Sequence, residues 1–232
     1  MANILIIPAR RGSKRIPNKN FVEVLGKSMI EHAITLAKST DIFDEIIISL
    51  DSHEKDEIFK DLGVTLYYRS SSLGLDQVGT IDVIKDVITV RQLADDINIC
   101  CLYPASFLIS DNRVMEGLET LLRNPYQFVF CCQPTYANPL RMFSLRQDLN
   151  DGIEFLDLKS IGVNTQTLPN YFIDAGQFYW GKVATWVNQN QLLNPSSVPI
   201  VLERWETIDI DYPEDLEVAV AILIKRESKE GK

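Results

Sequence analysis

Short, almost continuously apolar runs alternate with helical periods along this chain, and that alternation most restricts what it can fold into. The runs are "NILIIP", "EIIISL", "VTLYY", "INICCLY", "QFVFCC", "GQFYW" and "WETIDI". Strands of that composition are covered on both faces. Between them lie amphipathic stretches. Ser28 followed by Glu31 forms a capping box ahead of Ile30, Ala33, Ile34 and Ala37. Ile81, Ile84, Val87 and Ile88 share one face of "TIDVIKDVITVRQLA". Val114, Met115, Leu118, Leu121 and Leu122 follow a Ser110 or Asp111 cap. A last helix starts near Pro213 and runs through Leu216, Val220 and Leu223. The pattern implies an α/β fold, a mostly parallel sheet with helices on both faces. Ligands of such sheets bind at the carboxyl ends of the strands.

Residues 134–172 break the rhythm. The segment is polar and carries Pro134, Pro139 and Pro169, and "FSLRQDLNDGIEFLDL" reads as two strands joined around Asp151–Gly152. A long excursion inside a compact domain is usually functional or an interaction arm. The expected organisation is one domain, 1–232, with an inserted arm at 134–172. The tail "KRESKEGK" is expected to fray.

The formal net charge is −9. An acidic balance argues against a nucleic-acid partner, which would need cations to release counterions, and against attraction to anionic lipid. No apolar run reaches the ~20 residues that span a bilayer. The first apolar run is short, ends in Pro8 and is followed by its cations, unlike a secretory leader. The four cysteines form two adjacent pairs, Cys100–Cys101 and Cys131–Cys132, without CxxC spacing. They read as buried thiols of a reducing compartment, so a cytoplasmic location is expected.

Against that acidic background, "PARRGSKRIPNKN" places Arg10, Arg11, Lys14, Arg15 and Lys19 directly after the first strand. Gly12 and Ser13 permit a tight turn there. Such turns offer backbone N–H groups to phosphate, and nearby cations neutralise it. Neither GxxxxGK[ST] nor GxGxxG is present. The loop therefore reads as an oligophosphate site of another kind. A second feature is "IDID" at 208–211. In a strand, residues two apart point the same way, so Asp209 and Asp211 would share a face. Two carboxylates beside phosphate suit Mg²⁺. Asp211 could instead cap the helix near Pro213. Arg69 ends a strand, and Thr80 opens a helix, where its hydroxyl can cap the helix or meet a ligand. His32 and His53 lack a Ser or Cys partner in a triad arrangement and carry no catalytic assignment. Trp180, Trp186 and Trp205 read as packing residues.

Taken in order along nearly the whole chain, "IIPARRGSKRIPNKN", "DEIIISLDS", "RSSSLGLD", "GTIDV", "DAGQFYWG" and "IDIDYPEDL" resemble the acylneuraminate cytidylyltransferases, the CMP-sialic acid synthetases. "CLYPAS", "DAGQFYWG" and "VPIVL" resemble the pseudaminic acid cytidylyltransferase branch. The resemblance implies a Rossmann-like nucleotide-diphospho-sugar transferase fold and a homodimer held by the arm. It implies that CTP and pseudaminic acid give CMP-pseudaminic acid and pyrophosphate, with Mg²⁺ or Mn²⁺. N-acetylneuraminic or legionaminic acid is the rival substrate.

Position by position, Arg10, Gly12, Ser13, Lys14, Lys19 and Asn20 match the triphosphate loop, and Arg69 and Thr80 match positions near the cytidine. Tyr103, Arg141, Gln166, Asp174, Gln177 and Tyr179 match the sugar side. Asp209 and Asp211 match the metal carboxylates and, with Arg10 and Lys19, the catalytic set. Four departures stand out. Arg11 replaces a frequent glycine and would add charge beside the phosphates. Ile173 stands for a usual histidine, Asn164 for a usual arginine, and "PASFLI" for a threonine-alanine-proline run. A metal-dependent glycosyltransferase is disfavoured, because a donor diphosphate needs fewer cations than a leaving pyrophosphate. An inactive nucleotide-binding protein is disfavoured by the intact loop and carboxylates.

Overall fold

The computed structural model describes residues 1–53, 56–75, 77–125, 127–146 and 152–230. In chain order the elements are β1 (Asn3–Ala9), β2 (Glu23–Val24), β3 (Lys27–Ser28), α1 (Met29–Ser39), β4 (Glu45–Leu50), β5 (Thr65–Tyr68), α2 (Thr80–Arg91), β6 (Asn98–Leu102) and α3 (Asp111–Arg123). Then follow β7 (Val129–Pro134), β8 (Phe143–Leu145), β9 (Ile153–Phe155), β10 (Phe172–Lys182), α4 (Val183–Asn188), β11 (Val198–Val201) and α5 (Pro213–Glu230). Seven strands form one sheet in the order β11-β7-β10-β6-β1-β4-β5. Neighbours run parallel except at β10, which is antiparallel to both β6 and β7.

The strands alternate their side chains between two cores. From β1, Leu5 and Ile7 enter one cluster with Ala33, Val114 and Trp180, under α1 and α3. Ile4 and Ile6 enter the other with Ile84, Val87 and Trp186, under α2 and α4. The predicted capping box of α1 is present: Glu31 N donates to Ser28 Oγ at 3.4 Å, and Ser28 N donates to Glu31 Oε2 at 2.8 Å. After β1 the chain steps outward through β4 and β5, then returns to lay β6 on the other side of β1. That reversal opens a crevice at the carboxyl ends of β1 and β6.

Several expectations are corrected. "WETIDI" is not a strand: residues 202–212 are irregular, and the last strand of the sheet is "VPIV". Ile208 and Ile210 pack against α5 side chains, so the segment keeps the alternation of a strand without a pairing partner. Pro199 disguised β11, but β11 is an edge strand, where proline is tolerated. The N-cap of α2 is Gly79, and Thr80 is its first helical residue. On α3, Leu122 is exposed while Gly117 faces the sheet. The tail is helical as far as Glu230, and Arg226 Nη1 donates to the Leu108 carbonyl. In the arm, β8 and β9 pair as expected, with Phe143 opposite Phe155; Asp151 lies outside the described residues. All four cysteines are free and buried. Among the described residues no helix is long and apolar enough to cross a membrane.

At Gly117, α3 packs closely on the sheet. A Cβ there would lie 2.5 Å from Trp180 Cδ1 and 2.8 Å from Phe178 Cε2. The Trp180 ring cannot easily yield, because its Nε1 donates to the Val114 carbonyl at 3.1 Å. Gly117→Ala is expected to destabilise the fold by about 1–3 kcal/mol, as overpacked cores do. Urea unfolding should show a lower midpoint at unchanged slope. An unchanged midpoint would mean that the ring moves freely.

Candidate active site

The crevice at β1 and β6 is a pocket of about 510 Å³. Its walls come from the loop after β1, the segment before α2, residues 103–105 after β6, residues 174–177 of β10 and residues 208–211 before α5. Of the predicted residues, Arg10, Ser13, Lys14, Lys19, Asn20, Arg69, Thr80, Tyr103, Asp174, Gln177, Asp209 and Asp211 line it.

The loop is folded by its own polar groups. Buried Asn20 donates from Nδ2 to the Arg10 carbonyl at 2.8 Å, tying the loop's return to its exit. Asn18 takes the left-handed conformation, with φ 53, that starts the turn at Lys19–Phe21. Ser13 N donates to the Arg11 carbonyl at 2.7 Å, closing a turn around Gly12. Gly12 does not line the pocket, and a Cβ there would meet open space. Arg11 is also outside the lining. Its guanidinium lies 5.0 Å over the Phe21 ring, and its amide donates to Asp51 Oδ2 at 3.2 Å.

Arg69 ties strand ends together. It is buried and donates to the carbonyls of Ser49 and Ala9, joining the carboxyl ends of β4 and β1. Burial is the main influence lowering its pKa. Thr80 Oγ1 is hydrogen bonded to Tyr103 OH across the pocket wall. Burial pushes the Tyr103 phenol above its ordinary value. Tyr179 does not line the pocket. It lies behind the wall, edge-on to the Tyr103 ring at 5.8 Å, and donates from its hydroxyl to Asp174 Oδ2 at 2.6 Å. Asp174 Oδ1 accepts from Gly176 N at 3.0 Å. This contact lies where the β10 register shifts, and Gly176, with φ +57, makes the bulge possible. Gln177 is 2% exposed and donates from Nε2 to the Ala175 carbonyl at 2.8 Å, leaving Oε1 without a hydrogen-bond partner.

Asp211 is not a helix cap. The carboxylate that closes the start of α5 belongs to Asp215, which accepts from Asp211 N at 3.0 Å and Tyr212 N at 2.8 Å. Asp211 Oδ1 instead meets Arg15 Nη2 at 2.7 Å and Lys19 Nζ at 3.8 Å. Lys19 Nζ also donates to the Ile210 carbonyl. Partial burial, then the charge of Asp211, pushes the Asp209 carboxyl above its ordinary value. Such a pair is a fitting donor set for a divalent cation, which would relieve that repulsion. Among the described residues no group of three or more His, Cys, Asp or Glu side chains is placed to hold a metal. A cation here would draw its remaining oxygens from ligand or water.

Arg141 and Gln166 are the predicted residues that the fold leaves apart. Both lie in the arm, and Arg141 Nη1 donates to Thr165 Oγ1 at 2.6 Å. His32 is bonded to the Val24 carbonyl, and His53 stacks on Tyr68, both away from the pocket. Arg15 belongs to the site beyond its place in the charge run. Leu73, Leu75 and Val78 also line it, and apolar residues of that kind carry no chemical signal in sequence.

A cytidylyltransferase family model matches residues 4–166. The chain is 33% identical over 222 residues to the pseudaminic acid cytidylyltransferase of Campylobacter jejuni subsp. jejuni serotype O:23/36 (strain 81-176), covering 94% of this chain and 95% of that one. It is 32% identical over 214 residues to the Helicobacter pylori (strain ATCC 700392 / 26695) protein named pseudaminic acid cytidylyltransferase and UDP-2,4-diacetamido-2,4,6-trideoxy-beta-L-altropyranose hydrolase. That match covers 91% of this chain and 41% of its relative. Among solved structures, CMP:2-keto-3-deoxy-manno-octonic acid synthetase complexed with CTP superposes with a TM-score of 0.70 at 18% identity, covering 97% of this chain and 100% of the other. At that identity the likeness shows the shared fold.

The raised Asp209 carboxyl has a stability consequence. A carboxyl whose pKa is higher in the folded state opposes folding once it ionises, and the penalty disappears as the pH falls through the folded value. Asp209→Asn is therefore expected to raise the thermal midpoint of the metal-free protein at neutral pH. The gap to wild type should close as the solution is acidified toward the carboxyl range. A variant less stable than wild type at neutral pH would contradict the charge balance described for this pair.

Proposed function

This chain belongs to the cytidylyltransferase family, and on that premise we propose that it joins CTP to pseudaminic acid, giving CMP-pseudaminic acid and pyrophosphate. The observation that carries the reading is the meeting of the cationic loop and the paired carboxylates in one pocket at the strand reversal. The choice of sugar rests on end-to-end likeness to the Campylobacter protein.

The sugar's anomeric hydroxyl oxygen attacks the α-phosphorus of CTP. A new P–O bond forms as the bond to the departing pyrophosphate breaks, and the protein acts chiefly by positioning and charge neutralisation. Arg10, Lys14 and Lys19 offset the charge growing on pyrophosphate, and Ser13 with the loop amides orients it. Arg69 and Thr80 face the nucleoside. Tyr103, Asp174 and Gln177 face the sugar acid. Tyr179 holds Asp174 in place. Asp209 and Asp211 are the residues that would hold Mg²⁺ or Mn²⁺, which when bound supplies further neutralisation of phosphate oxygens. Arg15 and Lys19 balance the charge of Asp211. A glycosyltransferase would release a nucleotide in place of pyrophosphate.

The arm, 134–172, is the proposed dimer contact of a single-domain, cytoplasmic protein. It exposes Met142, Phe143, Leu145, Leu156 and Leu158, the last at 73%. Apolar side chains gathered in this way mark an interaction surface. A symmetric pair would cover them and carry Arg141 and Gln166 toward the partner's pocket.

Two measurements check these assignments. Pyrophosphate release with CTP should be fastest with pseudaminic acid in a panel that includes N-acetylneuraminic and legionaminic acids, and excess EDTA should abolish it. Preference for another acid would reassign the sugar, and full activity in EDTA would remove the metal. Sedimentation velocity at micromolar concentration should show a dimer that Leu158→Asp dissociates. A monomeric wild type would remove the arm's role.

A further inference from the structure

The irregular segment 202–212 carries both carboxylates of the site, so something other than a sheet ladder must hold it. Its entry is tied by Leu202 N, which donates to the Cys132 carbonyl at 2.8 Å. Its exit is tied by Asp215. Between them stands an ion pair whose carboxylate is buried and whose guanidinium is partly exposed. Glu206, 7% exposed, accepts from Arg113 Nε and Arg113 Nη2, both at 2.9 Å. Glu206 Oε2 also accepts from Glu203 N at 2.7 Å, which closes the turn. Arg113, in the first turn of α3, is steadied by Glu116 Oε2 at 2.8 Å. One residue on, Thr207 Oγ1 donates to the Ala175 carbonyl in the pocket wall at 3.3 Å.

Neither Arg113 nor Glu206 lines the pocket. Burial alone would raise the Glu206 carboxyl; the Arg113 bonds and the Glu203 amide outweigh it and hold the group below its ordinary value. A bidentate guanidinium–carboxylate pair fixes direction as well as distance. It sits three positions before Asp209, on a stretch with no strand neighbour to set its path. We propose that Arg113 and Glu206 are positioning residues for the cation site: their fork-on-fork pair aims Asp209 and Asp211 at a shared divalent ion. This rests on the metal reading given above and extends it to two side chains outside the pocket.

The test uses Mn²⁺ binding without turnover. Free Mn²⁺ is followed by electron paramagnetic resonance as protein with CTP, and no sugar acid, is titrated. Glu206→Gln keeps the side-chain volume but presents one acceptor oxygen to Arg113, and Arg113→Lys keeps the charge without the fork. Each is expected to weaken Mn²⁺ binding by about tenfold or more, as lost outer-shell partners do, with metal-free CTP binding little changed. The Mn²⁺ concentration that half-activates pyrophosphate release should rise in step. Thermal midpoints are recorded for both variants. A lowered midpoint with unaltered Mn²⁺ affinity would make the pair a structural clamp only and overturn the proposal. A wild-type protein that binds no Mn²⁺ beside CTP would remove the metal reading itself, a different result from variants that merely match wild type.

Discussion

Double-sided burial of β1 is the constraint on which the rest depends. Leu5, Ile6 and Ile7 are completely covered, and strands lie on either side through β4 and β6. A strand enclosed in this way can shed polar groups only at its ends. The cationic loop therefore emerges at the carboxyl end of β1, where the reversal of strand order leaves a crevice with no strand to fill it. Arg69 reinforces the same place by donating to the Ser49 and Ala9 carbonyls near the carboxyl ends of β4 and β1. A buried cation that spends its donors on strand ends makes the rim of the pocket part of the sheet.

The site is organised by balanced charge. Arg15 and Lys19 pair with Asp211, while partial burial and the charge of Asp211 both act on Asp209. The two groups of charge, which come from sequence positions nearly two hundred residues apart, thus hold each other ready in the pocket. Charges prearranged in this manner need little reorganisation when charge develops on a leaving group.

The wall formed by residues 103–105 and 174–177 is built differently. The bulge at Asp174–Gly176 is hydrogen bonded to Tyr179, whose ring meets the Tyr103 ring edge-on. Polar groups there are fixed from behind, which favours selectivity over adaptability. The arm leaves at Pro134 and returns at Phe172, two residues directly paired across β7 and β10. It can therefore be long without disturbing the sheet that carries it.

Much was legible in the residues alone. Continuous apolar strands, the Ser28–Glu31 box, the loop at 10–20 and the pairing of β8 with β9 follow from local pattern, and local pattern acts within a few residues. The resemblance to a known family supplied substrate and partner expectations that no pattern contains. Tertiary structure decided what depends on neighbours distant in the chain. "WETIDI" and "VPIV" differ in strand character only by whether a partner strand lies alongside, and "VPIV" has β7. Asp211 could have capped a helix until Asp215 took that role and Arg15 took Asp211. Arg11 and Lys14 look alike in the charge run, yet one lies over Phe21 and the other in the pocket. Sequence determined which side chains could carry charge or be buried. Packing between residues 113 and 206, or 19 and 211, decided where those charges point, because electrostatic and hydrogen-bond energies depend on distances that only the folded chain sets.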